Sequence, residues 1–114
     1  MTIPRSYLFV PGDRPDRFDK AAATSADFVV LDLEDAVLPK GKTSARETIR
    51  NWLCKGGRAA VRINGIGTEW HEEDKALLAT PGVAAVILPK AEEPAALARF
   101  ASALPQGLPL VPLI

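Results

Sequence analysis

The sequence has little of several residue types, and each scarcity excludes a class of function. Among its 114 residues there is one cysteine, Cys54, and one histidine, His71. A single cysteine forms no disulfide within the chain, and one cysteine with one histidine does not make a zinc site of sulfur and imidazole ligands. A metal would therefore need oxygen ligands, which favours a hard ion such as Mg²⁺.

Net charge and long apolar runs are lacking as well. Fourteen Lys and Arg residues balance fourteen Asp and Glu residues, so the chain lacks the basic excess that nucleic acids and anionic membranes attract. No apolar run approaches the roughly 20 residues of a membrane span, and residues 1–5 do not resemble a signal peptide. We therefore expect a cytoplasmic protein without nucleic-acid or membrane partners.

Five apolar runs organise the chain; a polar residue or a Pro/Gly break closes each of the first four, and the fifth runs to the last residue. They are continuously apolar rather than alternating, which is typical of parallel strands buried on both faces. Helical segments separate them, including one with a candidate capping box at Ser44 and one with Thr68 as a candidate cap. The runs are Tyr7–Val10, Phe28–Leu31, Ala59–Val61, Val83–Leu88 and Leu110–Ile114.

The alternation of strands and helices predicts an α/β fold with right-handed crossovers. From Asp32 to Arg62 to Lys90 the unit repeats about every 28 residues, near the period of a (β/α)8 TIM barrel, which needs about 250 residues. We therefore predict that residues 1–114 form a single incomplete domain. It is the N-terminal half of a TIM barrel, with four βα units and a fifth strand. An open doubly wound sheet is the main alternative.

Acidic residues follow the second predicted strand, at the edge where parallel α/β folds place their active sites. Asp32, Glu34 and Asp35 put three carboxylates within four residues. Crowded carboxylates raise one another's pKa unless a cation lies among them. The cluster indicates either a site for a divalent ion and its waters or a solvated turn that begins a helix.

Basic residues are expected near the same edge. Arg62 ends the third strand, and its guanidinium fits either a substrate carboxylate or the acidic loop, as a structural ion pair. Arg14, Arg17 and Lys20, three residues apart, fit either a phosphate group or a solvated helix face. Lys90 adds a further cation after the fourth strand.

Two reactive residue types are expected to have structural roles. His71 lies in a predicted helix directly before Glu72, Glu73 and Asp74, which indicates a surface position rather than a catalytic base. Cys54 lies near the end of an amphipathic helix, where packing in the core is expected.

Four motifs follow one another along the chain: Arg5–Gly12, Asp32–Val37, Val61–Gly65 and Leu88–Lys90. Together with Thr68, Trp70 and the closing segment Pro109–Ile114, they resemble the citrate lyase β-subunit (CitE-like) branch of the HpcH/HpaI aldolase family. The hydroxy-acid aldolases of that family typically have histidine at the position of Asp35, so the aspartate favours the acyl-CoA lyase branch. The resemblance runs through the whole chain and covers the N-terminal part of the family's usual length.

The resemblance implies a TIM-barrel lyase that cleaves a carbon–carbon bond in a hydroxy-acyl thioester of the citryl-CoA or malyl-CoA type. The products are acetyl-CoA and a 2-oxo acid. In the family Mg²⁺, or alternatively Mn²⁺, chelates the oxo acid and stabilises the negative charge that develops during the reaction. The implied partners are an acyl-CoA or acyl-carrier thioester and further copies of the chain in a homo-oligomer.

The resemblance also gives roles to individual residues. Arg62 matches the arginine that binds the oxo-acid carboxylate, and Glu34 and Asp35 match the acidic pair that hydrogen-bonds the metal's waters. These three are the expected catalytic residues. Arg14 and Lys20 are expected near the CoA phosphates, and Asp32 is expected to join the substrate-binding residues.

The family's direct metal ligands are expected beyond Ile114, a glutamate directly after the fifth strand and an aspartate after the next one. This chain is therefore expected to supply no direct ligand, only the carboxylates of Glu34 and Asp35 around the ion's waters. We expect a piece of a longer enzyme. The alternative is a catalytically inactive fragment that only self-associates or binds ligand.

Overall fold

A computed structural model describes residues 6–24 and 26–112, and in these ranges five strands alternate with four helices. The strands are β1 (Tyr7–Pro11), β2 (Phe28–Asp32), β3 (Ala59–Arg62), β4 (Val83–Leu88) and β5 (Leu110–Pro112). The helices are α1 (Phe18–Ala22), α2 (Lys42–Cys54), α3 (His71–Leu77) and α4 (Pro94–Ser102). Arg5 of the first motif, and Leu113 and Ile114 of the fifth apolar run, lie outside the described residues. None of the described helices is long and apolar enough to cross a bilayer.

The strands form one parallel sheet in the order β1-β2-β3-β4-β5. Each strand therefore pairs with its neighbour in sequence, as in a (β/α)8 barrel, whereas a doubly wound sheet reverses its strand order. The α/β fold predicted from the alternating segments is confirmed, and the sequential order favours a barrel half over the doubly wound alternative.

Apolar side chains pack on both faces of this sheet, which explains why its strands are apolar throughout. On the helix side the largest cluster includes Phe18, Ile49 and Leu77, which are fully buried. The opposite face carries a smaller buried cluster made of Val30, Ala60, Ala85 and Ile87. The expectation for Cys54 was wrong: it is exposed at the end of α2, where Leu53 takes the buried position.

Two helices begin elsewhere than their predicted caps. α2 begins at Lys42 rather than after Ser44, because a 3₁₀ turn directly before it continues into the helix. α3 begins at His71, three residues after Thr68, whose hydroxyl donates to the carbonyl oxygen of Gly65 at 2.8 Å instead of capping the helix. A turn precedes each of these helices and pairs backbone N–H groups at its start. Ser44 and Thr68 therefore have no capping role.

The edge strand β1 exposes large apolar side chains. Tyr7, Leu8 and Phe9 are 45%, 36% and 41% exposed, and among the described residues β1 pairs only with β2. An exposed apolar edge strand is a template for association with another chain. Closure into a barrel removes such an edge.

We expect the isolated 114-residue chain to dimerise or aggregate rather than persist as a folded monomer. The complete barrel, meaning this chain joined to the remaining strands and helices of a (β/α)8 barrel, has no free strand edge and is expected to fold cooperatively. Sedimentation velocity and thermal circular dichroism on both proteins check this. A monomeric mass together with a sharp two-state transition for the isolated chain would contradict the expectation.

Candidate active site at the carboxyl edge of the sheet

An ion pair between two neighbouring strands lies at the carboxyl edge of the sheet. Asp32 ends β2 and Arg62 ends β3, and the parallel register places the two residues side by side. Arg62 Nε donates to Asp32 Oδ1 at 2.8 Å, and Arg62 Nη2 donates to Asp32 Oδ2 at 2.6 Å. The Asp32 side chain is fully buried and that of Arg62 is 16% exposed. This two-pronged arrangement is the strongest geometry available to such a pair.

The ion pair occupies one edge of the Arg62 guanidinium and leaves another edge available. Within the described part of the chain Arg62 Nη1 donates no hydrogen bond, while Glu34 Oε1 lies 3.7 Å from Nε on the occupied edge. The ring of Phe9 packs 4.8 Å from the guanidinium carbon. The two roles considered for Arg62 are therefore compatible in one geometry, because the partner of Asp32 retains donors for a second carboxylate.

Asp32 also organises the loop that follows β2. Its Oδ1 accepts from the backbone N–H of Glu34 at 2.8 Å, and its Oδ2 accepts from that of Ala36 at 2.9 Å. Burial raises the pKa of Asp32, but the hydrogen bonds from Arg62 and these two amides outweigh burial and hold the pKa below its ordinary value. The exception expected for a nearby cation thus applies to Asp32, because Arg62 is the cation beside it.

The pKa of Glu34 is shifted in the opposite direction from that of Asp32. Burial and the neighbouring Asp35 raise the pKa of Glu34, and Arg62 offsets this only in part. The Glu34 side chain is 12% exposed, and Asp35 is exposed. Positive charge nearby would favour the ionised form of Glu34.

The carboxylates at this edge of the sheet fit hydrogen bonding to metal-bound water better than direct coordination of a metal ion. No group of three or more His, Cys, Asp and Glu side chains in residues 6–24 and 26–112 could hold a metal directly. Glu34 and Asp35 are two adjacent carboxylates at the cavity, and a carboxylate can accept hydrogen bonds from water. Such outer carboxylates orient what binds a metal and tune its affinity.

A cavity of about 390 Å³ opens between the loops that follow β2, β3 and β4. Glu34 and Asp35 line it on one side, Asn64 and Trp70 on another, and Lys90 on the third. Lys90 has a φ of 54° and is the only described non-glycine residue with positive φ. Residues held in this region tend to cluster at functional sites.

A buried polar network fixes the loop that follows β3. Asp74 Oδ2 accepts from the backbone N of Asn64 at 3.0 Å and from its Nδ2 at 2.6 Å, and Asp74 Oδ1 accepts from Arg46 Nε at 2.9 Å. His71 Nδ1 lies 2.9 Å from the carbonyl oxygen of Asn64 and donates to it. The expected surface position of His71 was wrong: it is 5% exposed, because Asn64 gives it a buried partner and Phe100 packs against its ring.

Sequence reasoning missed the role of the basic residues of α2. The buried residues of this helix recur with the period of one helix face, at spacings of three or four positions apart from the adjacent pair Ala45 and Arg46. They are Lys42, Ala45, Arg46, Ile49 and Leu53. Two basic residues in an otherwise apolar stripe are buried charges that require polar partners, and this pattern could have identified both.

Arg14 and Lys20 do not line the cavity described above. Arg14 is exposed and pairs with Asp16, with 3.1 Å between Nη2 and Oδ2. Lys20 lines a separate groove beside β1, together with Leu8 and Arg17. The structure does not bring these residues to Arg62, and their expected contact with CoA phosphates stays a prediction.

Acid is expected to weaken the fold through Asp32. Its pKa is lowered in the folded state, so the ion pair stabilises the fold above the unfolded pKa of about 4 and loses this contribution as the pH falls through the lower folded pKa. Asp32→Asn should lower the Tm of the complete barrel at pH 7 and flatten its decline between about pH 4 and pH 2. Melting curves from pH 7 to pH 2 check this, and parallel declines in both proteins would contradict it.

Comparison with known proteins places this geometry in a family. The model of the HpcH/HpaI aldolase/citrate lyase family matches residues 5–107. A citrate lyase subunit beta-like protein of Mycobacterium tuberculosis is 47% identical over 89 residues, 78% of this chain and 32% of the relative. A (3S)-malyl-CoA thioesterase of Cereibacter sphaeroides is 38% identical over 90 residues, 75% of this chain and 32% of the relative. An L-malyl-CoA/beta-methylmalyl-CoA lyase of the same species is 45% identical over 83 residues, which are 68% of this chain and 26% of the relative.

Solved structures agree with the fold. The citrate lyase beta subunit of M. tuberculosis complexed with oxaloacetate and magnesium is 39% identical, with a TM-score of 0.77 over 95% of this chain and 46% of that one. The CitE protein of M. tuberculosis complexed with magnesium, acetoacetate and coenzyme A is 38% identical. Its TM-score is 0.79, over 96% of this chain and 39% of that one. These neighbours are TIM-barrel-type subunits. The chain spans about a third of the length of the first curated relatives and less than half of these solved chains, which confirms the predicted N-terminal barrel half.

Proposed function

The chain belongs to the HpcH/HpaI aldolase/citrate lyase family, and we propose that it supplies the N-terminal half of a Mg²⁺-dependent carbon–carbon lyase. The substrate is a hydroxy-acyl thioester of the citryl-CoA or malyl-CoA type, and the products are acetyl-CoA and a 2-oxo acid. The observation that carries the proposal is the Arg62 guanidinium, held on one edge by Asp32 and left with Nη1 available. The solved relative that holds oxaloacetate and magnesium supports this chemistry.

Arg62 binds and orients the carboxylate of the oxo-acid part of the substrate. Because Asp32 fixes the Nε–Nη2 edge, the guanidinium is already oriented before the substrate arrives, and little freedom is lost on binding. The remaining donors form charge-assisted hydrogen bonds to the substrate carboxylate. This fixes the carbon chain of the substrate relative to the loop that follows β2.

Glu34 and Asp35 accept hydrogen bonds from water beside the substrate. When bound, Mg²⁺ supplies a Lewis-acid charge that opposes the negative charge developing on the oxo-acid oxygen. Glu34 and Asp35 would hold the waters of that ion, and the raised pKa of Glu34 is consistent with a carboxylate placed to receive positive charge. Asp32, saturated with donors, stays with Arg62 and the loop backbone.

The remaining parts of the proposal concern the thioester and the assembly. Arg14 and Lys20 approach the CoA phosphates, and the thioester arrives as an acyl-CoA or on an acyl carrier. A relative's structure with coenzyme A supports a CoA-linked substrate. Residues 1–114 form one incomplete barrel domain of a cytoplasmic homo-oligomer.

Thioester hydrolysis is a second candidate, because relatives of this chain carry the name (3S)-malyl-CoA thioesterase. The two reactions differ in the bond that breaks. The lyase breaks a carbon–carbon bond and leaves the thioester intact, whereas hydrolysis breaks the thioester and leaves the hydroxy acid whole.

One incubation separates the candidates. The complete barrel is mixed with malyl-CoA and Mg²⁺, and the products are resolved by liquid chromatography. We expect acetyl-CoA and glyoxylate in equal amounts. Free CoA with malate would instead establish hydrolysis, and unchanged malyl-CoA would contradict both activities on this substrate.

We expect the isolated 114-residue chain to bind Mg²⁺ weakly, with a Kd of about 1 mM or weaker, because Mg²⁺ sheds its waters reluctantly and these carboxylates contact the waters only. The complete barrel should bind it more tightly. Calorimetric titration of both proteins measures the difference, with a Glu34→Gln Asp35→Asn double variant as the control. Low-micromolar binding by the isolated chain would contradict this expectation.

A further inference from the structure

Lys42 is a buried cation that no role in the proposed reaction requires. It is the first residue of α2 and is 5% exposed. Among the described residues it forms no ion pair with a carboxylate, and its ammonium lies 5.1 Å from the centroid of the Trp70 ring. A buried charge is costly unless its donors are satisfied. The hydrogen-bond acceptors of Lys42 therefore indicate its role.

Lys42 donates to the loop that carries the acidic pair. Its Nζ donates to the carbonyl oxygen of Leu33 at 2.9 Å and to that of Glu34 at 2.7 Å. The amides of the same loop are held from the other side, since Asp32 accepts from the amides of Glu34 and Ala36. The loop is therefore fixed through its carbonyls by Lys42 and through its amides by Asp32.

One helical turn further along α2, Arg46 holds the opposite wall of the cavity. Arg46 Nε donates to Asp74, which also accepts hydrogen bonds from the backbone N–H and the side-chain Nδ2 of Asn64. The contact of Lys42 with Trp70 reaches the same connection between β3 and α3. One face of α2 thus joins the loop of the acidic pair to the loop of Asn64, and both loops line the 390 Å³ cavity.

We propose that Lys42 is a positioning residue that places the carboxylates of Glu34 and Asp35 around the waters of the metal ion. The inference rests on the proposed function, because the ion and its waters come from that proposal. Lys42 lines the cavity, but its Nζ donates to the carbonyl oxygens of Leu33 and Glu34, so it acts through the backbone of residues 33–36. Its removal therefore weakens metal binding while leaving the CoA-binding surface unchanged.

The test compares Lys42→Met with Lys40→Met in the complete barrel. Lys40 is exposed two residues earlier and serves as the matched control. We expect Lys42→Met to raise the Kd for Mg²⁺ by about 10-fold in calorimetry, as the loss of outer contacts at metal sites does. Amide hydrogen exchange at Glu34 and Ala36 should accelerate in the metal-free protein, and the KM for malyl-CoA should stay within twofold. Lys40→Met should change none of these.

A purely structural role predicts another pattern. In that case Lys42→Met lowers the Tm but leaves the Kd for Mg²⁺ and the exchange at Glu34 and Ala36 unchanged, and this outcome overturns the inference. If Lys42→Met does not accumulate as folded protein, Lys42→Gln supplies a neutral and shorter amide NH2 group in place of the ammonium, and a smaller rise in Kd is expected. An unchanged Kd in Lys42→Gln overturns the inference as well.

The same samples separate this inference from the proposed function. A wild-type barrel that turns over no malyl-CoA, while Lys42→Met still raises the Kd for Mg²⁺, would remove the proposed lyase and retain Lys42 as a positioning residue. An active wild type with an unchanged Kd for Mg²⁺ in Lys42→Met would support the proposed lyase and remove Lys42 as a positioning residue. A wild-type barrel that binds no Mg²⁺ overturns both.

Discussion

Arg62→Lys in the complete barrel is expected to lower kcat/KM for malyl-CoA by roughly 30- to 1,000-fold, or about 2–4 kcal/mol. Lysine keeps the charge but is a point donor, whereas the guanidinium binds Asp32 on one edge and keeps Nη1 for the substrate. A lysine at this position can serve one carboxylate but not both in this geometry. Steady-state kinetics, normalised to folded protein, measure the loss.

The control for Arg62→Lys is Asp32→Asn. This change breaks the same ion pair but leaves the guanidinium at the end of β3, so both variants should lose Tm. Arg62→Lys should lose more activity per folded molecule than Asp32→Asn, because Asp32→Asn loses the fixed orientation of the guanidinium but keeps its donors for the substrate carboxylate. If the two variants lose the same small fraction of activity, Arg62 is a structural partner of the acidic loop and its proposed role in substrate binding is wrong.

Asp74→Ala is expected to destabilise the protein by about 3–5 kcal/mol, because it leaves the buried Arg46 without its buried counter-charge and Asn64 without its acceptor. The Arg46 side chain is 4% exposed and that of Asp74 is fully buried. Urea denaturation of the complete barrel measures the change in the free energy of unfolding.

Glu73→Ala is the matched control for Asp74→Ala. Glu73 also contacts Arg46, at 3.0 Å between Nη1 and Oε2, but its side chain is 75% exposed. Exposed substitutions of this kind usually change stability by no more than about 0.5 kcal/mol. Equal, small effects of the two substitutions would show that the network around Asn64 does not stabilise the fold.

The sequence was most informative where one physical requirement dominates. Val83–Leu88 is apolar without interruption, and β4 has these bounds in the structure. The helix starts were harder, because the turn before α2 continues into the helix and leaves Ser44 inside it. Local capping patterns do not report such continuity.

The candidate site could be predicted in part for a similar reason. Parallel strands end at one edge, so Asp32 and Arg62 were expected near each other, and the structure places them in contact. The choice of partner depends on register, and the pattern of residues alone left Arg62 with two interpretations. The buried positions of Lys42 and His71 depend on contacts between distant segments. The spacing of the buried residues of α2 indicates a buried Lys42, but no pattern in the sequence indicated a buried His71.

A crystal structure of the complete barrel with Mg²⁺ and a 2-oxo acid tests the central claim most directly. We expect the oxo-acid carboxylate about 3 Å from Arg62 Nη1, with Asp32 still bound on the other edge, and Glu34 and Asp35 accepting hydrogen bonds from waters on the ion. An oxo acid bound at the carboxyl edge with no contact to Arg62, or bound elsewhere on the protein, would contradict it.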